Sequence, residues 1–179
     1  MTHPNRQLVV AALKSVVASN LLPTVQEFEE WLVKTKPEGH YNTDLESIGV
    51  LDGETQKLND QGLQEFEDLV ASFNKLSDPV ELYRSICVPE YKDIDMNDLG
   101  IHWSLKIVNC GGDGYDKGEW GDAQFTLKAK VPKKNINWFA TILHNLYWGE
   151  DEITTKNNIK IDVDEVIEGE SPTAPSGQR

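Results

Sequence analysis

Apolar residues recur at helical spacing through the first part of the chain and alternate with polar ones through much of the rest. Leu8, Val9, Leu13, Val16 and Val17 share one side of a helix. Lys14 interrupts the apolar run, so the segment reads as an amphipathic helix and not as a signal peptide. Thr24 followed by Glu27 has the spacing of a capping box, ahead of a face built from Val25, Phe28, Trp31 and Leu32. The segment 36–56 is rich in Pro, Gly, Asn and Asp and is expected to be loop with a short turn of helix. A further helix is expected within 59–76, with Leu63, Phe66, Leu69, Val70 and Phe73 on one face and its start weakened only a little by Gly62.

From Pro79 the period changes. The stretches VELYRSICV (80–88), QFTLKAKV (124–131) and NIKIDVDEVI (158–167) are β-branched, aromatic or alternating, as strands are. Between them lie a Gly/Asp loop, 109–122, and an apolar helical segment, NINWFATILHNLYW. Helices first and strands afterwards indicate an α+β fold, with N-terminal helices packed on a mixed, largely antiparallel sheet. The organisation expected is a helical part over 1–78, a sheet domain over 79–167 and a small, polar, Pro-rich tail over 168–179 that stays disordered.

With 179 residues, 39% of them hydrophobic, the chain can support one core with an extension. Thirty acids against seventeen bases give a net charge of −13, which repels nucleic acid and anionic lipid at long range. Neither membrane association nor bulk nucleic-acid binding is therefore expected. Cys87 and Cys110 stand in no metal-binding spacing and indicate no disulfide framework, which points to a reducing cytoplasm.

The acidic segment DIDMNDLGIHWS places Asp93, Asp95 and Asn97 at calcium-loop positions. It has Asp98 where the loop needs Gly and Ser104 where it needs Glu, so no metal site is expected. His3, His40, His102 and His144 form no helical pair and read as packed or surface histidines, with only the neighbours of His102 in GIHWS setting it apart. Glu150 and Glu152, at i and i+2 in a strand, would point to the same side, which requires solvent, a cation or a ligand between them.

Arg84 in LYR, Ser104 in HWS and Glu150–Glu152 in EDE occur in the order of a known motif set. From Leu82 to about Ile167 the chain resembles the mono-ADP-ribosyltransferases of the Arg-Ser-Glu class. That class includes clostridial and cholera-type toxins and transferases carried by bacteriophages. HWS lacks the flanking Ser or Thr pair usual at the middle motif. The resemblance implies NAD as substrate and cleavage of the bond between its ribose and nicotinamide. That reaction passes through an oxocarbenium-like state which a nearby carboxylate stabilises.

On this resemblance Glu152 would accept from the ribose hydroxyl, and Glu150 would orient and deprotonate an attacking arginine. Arg84 would contact the pyrophosphate or adjacent ribose. Ser104 would hydrogen-bond Glu152, and Trp103 or Trp120 would pack on a ring of the cofactor. The implied partner is a protein or RNA acceptor in the cytoplasm, that of the host cell if the chain is phage-encoded. The alternative is a catalytically inactive acidic protein that binds and inhibits a basic partner.

Overall fold

A computed structural model describes residues 21–36, 41–107 and 123–169. The helix expected over residues 8–17, the Gly/Asp loop with Trp120 and the tail from 170 lie outside these residues, while Glu168, expected to begin the tail, belongs to a strand. Among the described residues are four α-helices and a sheet of five strands: α1 (Val25–Thr35), α2 (Tyr41–Ser47), α3 (Asp60–Asn74), β1 (Val80–Val88), β2 (His102–Ser104), β3 (Ala123–Val131), α4 (Trp138–Trp148), β4 (Glu152–Thr154) and β5 (Val163–Glu168). None of these helices is long and apolar enough to cross a membrane. The chain divides into two compact units, Met1–Lys75 with Leu146–Trp148, and Leu76–Asn145 with Gly149–Arg179.

In the first unit the capping box forms as its spacing predicts. The Glu27 amide donates to Thr24 Oγ1, and the Thr24 amide donates back to the Glu27 carboxylate at 2.8 Å. Two amides at the start of α1 that would otherwise lack partners are thereby satisfied. Phe28, Leu32, Leu45, Val50, Phe66 and Phe73 are buried, and the Phe28 and Phe66 rings lie 5.4 Å apart. The loop expected between α1 and α3 contains α2, followed by a tight turn in which Asp52 Oδ1 accepts from the Thr55 amide at 2.7 Å. Asn59 caps α3 by accepting from the Gly62 amide. Gly62 itself has a stricter role than expected, because a Cβ built there would sit 2.2 Å from the Val50 carbonyl oxygen.

The second unit is a sheet of strand order β4-β2-β1-β3-β5. Every neighbouring pair is antiparallel, so the mixed alternative does not apply. β1 spans the residues that its pattern predicts, and its full length pairs with β3 from Val80↔Val131 to Val88↔Ala123. The strand expected from residue 158 starts only at Val163. Leu82, Trp103, Leu127 and Ile153 share one face by register and are fully buried. Among the described residues β5 is the outer strand on one side, with Asp164, Glu165 and Glu168 exposed. Cys87 is disulfide-bonded, which corrects the expectation that no disulfide is indicated.

Replacing Gly62 by Ala should destabilise the first unit by about 1–3 kcal/mol, because the backbone of Val50 cannot swing aside as a flexible side chain would. Urea unfolding of the variant against the parent checks this. An unchanged midpoint would show that α3 can move off the Val50 carbonyl freely.

Candidate active site

The strands that carry Arg84, Ser104 and Glu152 are consecutive neighbours, β1, β2 and β4. β4 is only three residues long and, among the described residues, lies at the sheet's other edge, where outward backbone groups need partners. One side of it pairs with β2, and α4 satisfies the other. Asn145 Nδ2 donates to the Glu152 carbonyl at 2.7 Å, the Thr154 amide donates to Thr141 Oγ1 at 3.0 Å, and the Asn137 amide donates to the Thr154 carbonyl at 2.8 Å. Gly149, at φ 65°, ends α4 in the left-handed conformation and turns the chain back toward β4. Helix and edge strand are therefore joined by specific hydrogen bonds, which set His144 beside Glu152.

Glu152 lies across from Ser104, diagonally next to His102. Both imidazoles point Nδ1 at the same carboxylate oxygen. His102 Nδ1 lies 2.6 Å and His144 Nδ1 2.9 Å from Glu152 Oε1. The two rings stack with centroids 5.5 Å apart. Thr154 Oγ1 is 3.3 Å from His144 Nδ1. Glu152 and His144 are largely buried, whereas the His102 side chain is 46% exposed. Glu152 Oε2 and His102 Nε2 hold no hydrogen bond among the described residues.

Burial pushes the Glu152 carboxyl up, but hydrogen bonds from His102 and His144 outweigh it and hold the group at about 2, below its ordinary 4.5. An ionised carboxylate can only accept, so each imidazole presents Nδ1–H to it, and a neutral His102 then carries its lone pair on Nε2. Two imidazoles and a carboxylate are also a donor set suited to zinc or iron. The two separations between imidazole and carboxylate are hydrogen-bond lengths, shorter than the roughly 3.3 Å between two ligand atoms on a tetrahedral zinc.

Several expectations are corrected. Glu150 is exposed and precedes β4, so it does not share a strand face with Glu152. Ser104 Oγ accepts from the Lys106 amide at 3.1 Å, and it is the two histidines that hold Glu152. Tyr83 is the residue facing Ser104, so alternation sends Arg84 out on the opposite face, that of Trp103. Arg84 therefore does not border one cleft with Ser104 and Glu152. Its Nη1 donates to the His102 carbonyl at 2.6 Å, and its guanidinium lies against Gly100. Trp103 is fully buried and donates through Nε1 to the Gly100 carbonyl at 3.3 Å, as a core residue.

A cavity of about 890 Å³ lies beyond the ends of β2 and β4, lined by 96–101 and 155–161 and not by Glu152, His102 or His144. Ile101 and Thr155, joined by a backbone hydrogen bond of 2.8 Å, form part of its wall one residue from His102 and Thr154. Neither histidine stands out in sequence as a partner of Glu152. The available signal was the segment HNLYWGEDE, where a helix ending in Gly turns directly into a strand, but spacing alone does not say that His144 faces back. No family model, curated protein or solved structure matches this chain.

The low value at Glu152 has a stability consequence. Its folded-state carboxyl is depressed, so its contribution is present above its unfolded value and is lost as pH falls from about 4.5 to about 2. The thermal midpoint of the parent should therefore drop more steeply across that window than that of Glu152→Gln, as read by circular dichroism. Parallel curves would mean that the imidazoles do not hold the carboxylate ionised.

Proposed function

We propose that the chain is an NAD-dependent mono-ADP-ribosyltransferase, with Glu152 as the carboxylate that stabilises the oxocarbenium-like ribose. The observation that supports this reading best is the buried Glu152 carboxylate, kept ionised by two imidazoles that hold one of its oxygens while the other is uncommitted. A carboxylate that served only solubility would gain nothing from burial, which costs several kcal/mol before its partners offset it. Buried acids with strongly perturbed titration are enriched in catalytic sites.

In this reading NAD occupies the cavity with its nicotinamide ribose toward Glu152. Oε2 accepts from a ribose hydroxyl, and the fixed charge lowers the energy of the cation that forms as nicotinamide leaves. Lys156 and Lys160 in the lining supply positive charge for the pyrophosphate, so a chain of −13 can still take a dianion. Arg84 acts one step away, bracing the Gly100–His102 segment, of which Gly100 and Ile101 line the cavity. Glu150, exposed in the turn before β4, lies where an acceptor can approach from solvent.

Incubation with labelled NAD and a cell lysate should label a macromolecule. Glu152→Gln should cut both transfer and NAD hydrolysis by a factor on the order of 10² or more. A parent that turns over no NAD with any acceptor would sink the transferase reading and leave the inactive acidic binder of a basic partner in its place.

A further inference from the structure

We infer that His102 is the general base that takes the proton from the attacking acceptor, with Glu152 Oε1 as the group that orients its ring. This rests on the transferase reading above and assigns within it a residue for which neither composition nor motif provides.

The arrangement repeats the logic of carboxylate–histidine dyads. A carboxylate bound to one ring nitrogen fixes the tautomer and orientation of the imidazole, leaving the other nitrogen to exchange protons. His102 Nδ1 is 2.6 Å from Glu152 Oε1, and Nε2 carries no hydrogen bond among the described residues. Its side chain is 46% exposed, whereas that of His144 on the same oxygen is 14% exposed. The two histidines are thus unequal: His144 is a buried prop for the carboxylate, and His102 is open to an incoming group. The backbone of His102 is fixed as well, since its carbonyl accepts from Arg84 at 2.6 Å. Glu150, the alternative base, has no comparable anchoring, being exposed and outside β4.

The step balances without any further reagent. The bond between ribose C1′ and the nicotinamide nitrogen breaks, and nicotinamide departs as a neutral base with the bonding pair. The lone pair of the acceptor nitrogen or oxygen forms the new bond to C1′, and the proton that it carried passes to His102 Nε2 and then to solvent. One carboxylate serves both halves of the reaction, with Oε1 on the base and Oε2 on the ribose.

The test compares the parent with His102→Ala, His102→Asn and Glu150→Gln in NAD hydrolysis and transfer. Asn retains a side-chain amide that can donate to Glu152 in place of Nδ1–H but cannot accept a proton as imidazole does. Both His102 variants should lose kcat on the order of 10²-fold with the KM for NAD little changed, and added imidazole should restore part of the loss in His102→Ala. Recovery of activity in His102→Asn would overturn the proposal, since His102 would then only position Glu152. So would an active parent whose rate survives His102→Ala but is lost in Glu150→Gln. A parent that consumes no NAD sinks the transferase reading itself, and the base assignment with it, a result distinct from those two.

Discussion

The closure of β4 by α4 is the constraint from which the candidate site follows. A three-residue edge strand has too few ladder hydrogen bonds to define its own position. Here Asn145, Thr141 and the Asn137 amide supply partners for the backbone groups that face away from β2. Asn145 also donates to the Thr141 carbonyl at 2.8 Å, so the amide that holds the strand is itself held by the helix. The contacts made by the Asn145 and Thr141 side chains are buried, where an unmet backbone group costs about 1–3 kcal/mol. Sliding the strand by one residue would break all of them and turn Glu152 to the wrong face.

Once the strand is fixed, the electrostatics of Glu152 follow. A buried carboxylate is tolerated only with donors close by, and here the donors arrive from different elements, His102 from β2 and His144 from α4. The charge thereby ties helix, edge strand and inner strand together. It also makes the two carboxylate oxygens inequivalent, one saturated by imidazole and the other uncommitted. This asymmetry is local chemistry that no single element contains.

The parts legible in sequence were those in which local preference and tertiary context agree. β1 follows from its own pattern because both of its neighbours pair with it along the sheet. The α1 capping box follows from two residues three apart. The pattern misled where alternation served another purpose. Ile159 and Ile161 alternate as in a strand but line the cavity, and β5 begins after them. Glu150 and Glu152 have strand spacing, yet β4 starts at Glu152, so parity never applied to the pair. The convergence of His102 and His144 could not be read at all. It depends on the register between β2 and β4 and on the rotation of α4 about its axis, and both are set by packing. Gly62 misled in the opposite sense, since a neutral-looking glycine proved to be a point of backbone contact with Val50.

The sheet has two edges, and they are finished in different ways. At β4 the outward groups are consumed by a helix of the same chain, while β5 presents Asp164, Glu165 and Glu168. An extended strand from another molecule would find no vacant ladder at the first edge. At the second, a like copy would bring the same acids against these. Among the described residues, growth of the sheet from molecule to molecule is thus blocked at one end by occupied hydrogen bonds and discouraged at the other by repulsion between like acids.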